Sequence, residues 1–123
     1  MRRKRILVAD DSETSRRFLE LVLAARRHEV LTASDGEQAL GRALAERPDL
    51  VMMDVAMPGL SGLDVLRRLR AEEATRDIPV IMVSVRGEPV DRLEAFATGC
   101  SDYLTKPVDA SELLAQVQRL VGA

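Results

Sequence analysis

Aromatic side chains are scarce in this chain: tryptophan is absent, and Phe18, Phe96 and Tyr103 are the whole set. Cysteine is reduced to Cys100, which excludes an internal disulfide and suits a reducing cytoplasm. Neither charge sign dominates. With 18 basic and 20 acidic side chains the net charge is −2, so no global field recruits nucleic acid or acidic lipid. Long apolar runs are missing as well. Behind the basic cluster Arg2, Arg3, Lys4 and Arg5 come only Ile6, Leu7, Val8 and Ala9 before Asp10 and Asp11. That run is too short for a signal peptide or a membrane span. The basic cluster lacks the interleaved aromatics of a nucleic-acid arm and reads as a solvated lead-in to a first strand. Neither G-x-x-x-x-G-K-[ST] nor G-x-G-x-x-G occurs, so nucleotide binding has no signature here. No repeat or low-complexity segment is present.

What remains is a soluble globular composition, 46% hydrophobic and 31% charged over 123 residues, expected to form one domain over 1–123. A chain of this size exposes roughly 6,600 Å² when folded against about 20,000 Å² unfolded, enough burial for a core without staples. Short aliphatic runs alternate with amphipathic stretches, the pattern of repeated βα units. The strands are expected at Arg5 to Ala9, Glu29 to Ala33, Leu50 to Asp54, Val80 to Val83 and Asp102 to Thr105. Between them, apolar residues recur at helical spacing, as Phe18, Leu19, Val22 and Leu23 do early and Leu113, Leu114, Val117 and Leu120 do late. Ser34 with Glu37, and Asp109 with Glu112, have the spacing of helix-start capping boxes. Gly99 stands where a helix ends, and Pro48 and Pro79 each fall shortly before a strand. A near-continuous apolar strand such as Leu50, Val51, Met52 and Met53 belongs inside a parallel sheet covered on both faces. The fold class is a doubly wound, five-stranded α/β domain.

Ligands of such sheets bind beyond the carboxyl ends of the strands. The first strand ends in Asp10 and Asp11, the third in Asp54, the fourth in Ser84, and the fifth runs into Lys106 and Pro107. Three carboxylates gathered within about 5 Å repel by roughly 3 kcal/mol per pair at an effective dielectric near 20, so they call for a cation. Mg²⁺ suits oxygen ligands and keeps positions open for phosphoryl oxygens. A serine hydroxyl and a lysine ammonium facing them can hold further phosphoryl oxygens, and a carboxylate can attack phosphorus to give an acyl phosphate.

Four segments, taken in order, carry a resemblance: Val8-Ala9-Asp10-Asp11-Ser12, Met53-Asp54-Val55-Ala56-Met57-Pro58-Gly59-Leu60-Ser61-Gly62, Val83-Ser84, and Gly99-Cys100-Ser101-Asp102-Tyr103-Leu104-Thr105-Lys106-Pro107. Over essentially its whole length the chain resembles the receiver domain of bacterial two-component response regulators. That resemblance implies the flavodoxin-like strand order 2-1-3-4-5. It implies Asp54 as phosphoacceptor, charged by a sensor histidine kinase or histidine phosphotransfer protein. Asp11, Asp54 and the Ala56 carbonyl would bind Mg²⁺, with Asp10 acting through a metal-bound water, and Ser84 and Lys106 would contact the phosphoryl oxygens. The Lys106-Pro107 peptide would be cis. Tyr103 would be a switch aromatic, turning inward as Ser84 moves, and output would leave through the face of the fourth helix, fifth strand and fifth helix toward a downstream protein or effector domain.

Two departures from the family pattern concern tuning. Val85 follows Ser84 where a small residue is usual, and is expected to narrow access to the site. Ala56 and Arg86 occupy positions that tune phosphoryl lifetime; Ala56 cannot orient a water and Arg86 can pair with the phosphoryl group, so a long lifetime is expected. Other residues have plain readings: His28 as a solvated turn residue, Met52, Met53 and Met57 as packing, Cys100 as a small packed residue. The donor histidine is thus expected on another protein. The rival function is a phosphorylation-independent interaction module on the same fold. An aspartate-based hydrolase needs a second acid or base near Asp54, and Val55 and Ala56 supply none. The chain is therefore expected to catalyse only its own phosphorylation and dephosphorylation, in the cytoplasm, without nucleic acid or membrane. Partner specificity is expected in the stretch from Pro89 to Thr98.

Overall fold

The computed structural model describes residues 3–85 and 89–122, the side chains of 89–91 excepted. Strands and helices alternate: β1 (Arg5–Ala9), α1 (Glu13–Ala24), β2 (Glu29–Ala33), α2 (Gly36–Glu46), β3 (Leu50–Asp54), α3 (Gly62–Ala71), β4 (Val80–Ser84), α4 (Pro89–Thr98), β5 (Asp102–Thr105) and α5 (Ala110–Val121). The strands pair in parallel in the order β2-β1-β3-β4-β5. β4 runs one residue further than the sequence indicates, to Ser84, because the backbone pairing of Ser84 with Thr105 continues the ladder past the last apolar side chain.

Alternation along each strand builds two cores. Ile6, Val8, Leu50, Met52, Ile81 and Val83 face Leu19 and Leu23 of α1 and Leu113 and Val117 of α5. Leu7, Ala9, Val51, Met53, Val80 and Met82 face Ala39 and Ala43 of α2, Val65, Leu66 and Leu69 of α3, and Ala95 of α4. β3 is buried along its whole length, so its terminal carboxylate is delivered by an otherwise apolar strand. Each fully buried aliphatic side chain there stabilises the fold by about 1.5–3 kcal/mol.

Helix starts are set by side-chain caps that accept orphan backbone N–H groups. Ser12 accepts from the Ser15 amide to open α1, and Asp109 accepts from Glu112 to open α5. Ser61 and Asp64 form a reciprocal capping box at α3. At α2 the cap is Asp35, not Ser34, and it accepts the Gln38 amide at 2.8 Å. The expected pairing of Ser34 with Glu37 does not form: Ser34 donates to the Gln38 carboxamide instead, and Glu37 accepts the Leu60 amide at 3.1 Å. Gly99 closes α4 with a φ of 116°, its N–H shared between Ala95 and Phe96 carbonyls.

His28 is buried, not solvated as its turn position suggests. Arg27 takes a left-handed φ of 65°, and the His28 amide reaches back to the Leu23 carbonyl at 3.3 Å. That turn carries His28 back toward the end of α1 and leaves it buried.

Candidate functional site

Parallel register brings the acidic residues together. Ala9 pairs with Met53, so Asp10 and Asp54, one residue beyond each, emerge side by side at the carboxyl edge of the sheet. Ser84 pairs with Thr105 on the outer pair of strands, and the Lys106 amide donates to the Ser84 carbonyl at 2.8 Å. This edge therefore collects Asp10, Asp11, Asp54, Ser84 and Lys106 from four different strands.

Asp10 is 1% exposed and held on every side. Its amide donates to the Ala33 carbonyl, its Oδ1 accepts the Ser12 amide at 2.9 Å, and its carbonyl accepts Arg16 Nη1 at 2.7 Å. Asp54 Oδ1 accepts the Ala56 amide at 2.9 Å. Lys106 Nζ lies 2.8 Å from Asp10 Oδ2 and 2.8 Å from Asp54 Oδ2, bridging the two carboxylates. Asp11 beside them is exposed.

The electrostatics follow from partial burial. Desolvation pushes the Asp54 carboxyl above its ordinary pKa, outweighing the hydrogen bonds from Lys106 and the Ala56 amide; Asp10 adds to the upward push. Burial lowers the Lys106 pKa, but hydrogen bonds and charge from Asp10 and Asp54 outweigh it, and the ammonium ends above its usual value. Lys106 is thus a fixed positive charge at neutral pH.

One oxygen each from Asp10, Asp11 and Asp54 lie within 4.8 Å of one another. An all-carboxylate set with one exposed member fits a hard, partly hydrated divalent cation such as Mg²⁺, whose preference is oxygen ligands and retained waters. Zinc-type chemistry has no His or Cys in this group.

The remaining residues singled out from sequence fall as follows. Ser84 is buried at the end of β4, and Tyr103 is buried on β5. The Lys106–Pro107 peptide is cis. Ala56 is exposed on the loop after β3, and Val85 is 70% exposed after β4. Arg86 lies outside the described residues. Two residues hold the site in ways the sequence does not disclose: Arg16 belongs to none of the four segments, and Gly62 stands at the end of the second without a role of its own. Arg16 reaches the Asp10 carbonyl from α1, and no motif advertises a side chain that binds a backbone six residues away. Gly62 opens α3 against β3, where an added Cβ would lie 2.2 Å from the Asp54 carbonyl oxygen. Glycine is therefore the residue that lets α3 begin so close to the acidic strand end.

Fold and site together define an aspartate-centred α/β domain with a lysine bridging its carboxylates. The family model of the response regulator receiver domain matches residues 6–118, and the chain belongs to that family. It is 44% identical to the response regulator PleD of Caulobacter vibrioides over 116 residues, 94% of this chain and 26% of PleD. It is 39% identical to the protein PilH of Pseudomonas aeruginosa over 118 residues, 96% of this chain and 98% of PilH. Among solved structures, the receiver domain of sensor histidine kinase PA1611 from Pseudomonas aeruginosa superposes with a TM-score of 0.91 at 31% identity, covering 99% of this chain and all of that one. That structure has a magnesium ion coordinated in its active-site cleft. The chain spans about a quarter of PleD and, at 48%, about half of the regulators ycf27 and RpaA. No helix among the described residues is long and apolar enough to cross a membrane.

Proposed function

We propose that this receiver domain is a phosphorylation-controlled switch in which Asp54 accepts a phosphoryl group in the presence of Mg²⁺. The observation that carries the proposal is the shared ammonium: Lys106 Nζ stands 2.8 Å from both Asp10 and Asp54, beside a carboxylate set suited to a divalent cation. Asp54 attacks phosphorus, the donor's P–N bond breaks, and the imidazole leaves with a proton. Asp11, Asp54 and the Ala56 carbonyl would hold Mg²⁺, with Asp10 acting through water, and the bound ion would supply charge neutralisation. Lys106 and Ser84 hold the phosphoryl oxygens, and the Ala56 amide fixes one Asp54 oxygen.

The donor is a sensor histidine kinase or a histidine phosphotransfer protein in the cytoplasm. A donor histidine must come within bonding distance of Asp54, so its protein must rest on the surface that adjoins Lys106. A groove of about 310 Å³ lies there, lined by Thr14, Ser15, Phe18 and Leu19 of α1 and by Lys106, Pro107 and Val108. Phe18 and Leu21 are exposed beside it, giving α1 an apolar stripe for a helical partner. Tyr103 is the switch aromatic, and the output surface is α4, β5 and α5, toward a downstream protein or effector domain. Val85 narrows access for small donors, and Ala56 with Arg86 lengthens phosphoryl lifetime. The chain catalyses its own phosphorylation and dephosphorylation and acts on no other substrate.

Incubation with Mg²⁺ and acetyl phosphate, followed by intact mass, tests the proposal. One phosphoryl adduct on the parent and none on Asp54→Asn is the expected result. An adduct that appears only in Val85→Ala assigns exclusion of small donors to Val85. No adduct on either, and none from a phosphorylated donor protein, leaves the interaction module as the function.

A further inference from the structure

The guanidinium of Arg92, on α4, lies over the ring of Tyr103 with its carbon 5.2 Å from the centroid. Tyr103 is 2% exposed, packed in the core shared with Ala95. Ala95 stands three residues after Arg92, so the two share the helix face that lies against β5. Their neighbours Leu93 and Phe96 are exposed. Arg92 itself is exposed to water, and its charge covers an aromatic face that is otherwise inside.

We infer that Arg92 is a positioning residue for Tyr103: its cation rests on the ring and holds it in the buried rotamer, so the seat of α4 and the rotamer of Tyr103 are set together. A cation over an aromatic face is attracted by the ring quadrupole without needing a hydrogen bond, and it tolerates small sliding of the helix. Among the described residues, polar ties also join α4 and its end to α3. Arg67 Nη2 lies 3.3 Å from Glu94 Oε1, and Arg70 Nε donates to the Gly99 carbonyl at 3.0 Å. Arg92 supplies a tie toward β5. A change that shifts the Tyr103 ring therefore shifts α4 with it, and a protein bound to α4 biases the ring in return. Shielding of the ring stands on the geometry alone, whereas its coupling to phosphorylation rests on the function proposed above.

With one tyrosine and no tryptophan, the ultraviolet fluorescence of the chain reports Tyr103. Acrylamide is neutral and insensitive to the charge being removed. Arg92→Ala and Arg92→Met are expected to raise the acrylamide quenching constant about two- to fivefold, with Arg92→Lys in between. Met keeps the aliphatic stem, so an increase in both variants assigns the effect to the charge; circular dichroism checks that each is folded. Quenching constants unchanged in both variants overturn the inference. Calorimetric titration with beryllofluoride and Mg²⁺ tests the coupling, with a midpoint about two- to fivefold higher in Arg92→Ala than in the parent. Raised quenching with an unchanged midpoint overturns the coupling. A parent that binds no beryllofluoride overturns the phosphoacceptor reading and the coupling with it, while the quenching comparison still decides the shielding.

Discussion

Lys106 and Asp54 are joined through a single contact, Nζ to Oδ2 at 2.8 Å, and the same nitrogen makes an equal contact with Asp10. One ammonium therefore offsets two buried carboxylates that come from neighbouring strands. Lysine here does the service a divalent cation would also do, so the two compete for the same negative charge. Lys106→Met is expected to bind Mg²⁺ about tenfold more tightly, a shift of about 1.4 kcal/mol at a screened distance of several ångström, read by calorimetry. Equal or weaker binding would show that Lys106 does not oppose the cation.

Gly62 is the point where α3 meets the acidic strand end. Its replacement by alanine puts a Cβ 2.2 Å from the Asp54 carbonyl oxygen and 2.9 Å from the Met82 methyl. The backbone must move, because a carbonyl cannot be rotated away as a side chain can. Gly62→Ala is expected to cost about 2–3 kcal/mol in urea unfolding, of the order of an overpacked core site. A stability equal to that of the parent would mean that the loop from Val55 to Ser61 yields freely.

Arg70 is half-buried and donates to three backbone carbonyls: Gly99 at 3.0 Å, Arg76 at 3.0 Å and Ile78 at 2.7 Å. It joins the end of α4 to the segment leading into β4. Arg70→Ala removes all three donors and is expected to cost about 2 kcal/mol, more than a surface ion pair returns. Amide exchange is expected to quicken around Gly99 and Ile78 in that variant, and an unchanged exchange pattern would assign the loss elsewhere.

Cys100 is 7% exposed, and burial pushes its thiol from 9.0 up to about 11. An acid with a raised folded pKa favours the folded state at neutral pH and withdraws that support as pH climbs from about 9 to 11. Between pH 8 and 10.5 the parent is expected to lose about 2 kcal/mol more stability than Cys100→Ala, measured by urea unfolding of both. In the folded protein at pH 8 the thiol should react far more slowly with iodoacetamide than in urea.

The sheet was legible because its signal is local. Leu50 to Met53 is apolar on both faces, and only an interior parallel strand needs that, so Asp54 at its end stood out as a charge with a purpose. Strand ends plus the rule for where such sheets bind ligands were enough to bring Asp10, Asp11, Asp54, Ser84 and Lys106 to one edge. What sequence does not carry is competition among neighbours. Ser34 and Asp35 both suit a cap, and the carboxylate takes it while Glu37 is drawn off to the Leu60 amide. His28 looks like a solvated turn residue until the left-handed Arg27 turns its backbone to the Leu23 carbonyl and it is buried. Arg16 and Arg70 bind backbone carbonyls, which every residue has, so no pattern of side chains announces them.

Lys106 reaches the carboxylates from β5, an edge strand paired only with β4. The cation that completes the cluster is thus the last of its members to leave a ribosome, and it hangs on the border of the sheet, not in its middle. If Asp54 is the phosphoacceptor proposed above, competence becomes a property of the finished sheet: a nascent chain with Asp10 and Asp54 already made still lacks their common counter-charge. Fraying at that border would strip the carboxylates of their shared ammonium before the interior strands part, so on that reading a damaged copy loses the switch while it is still largely folded.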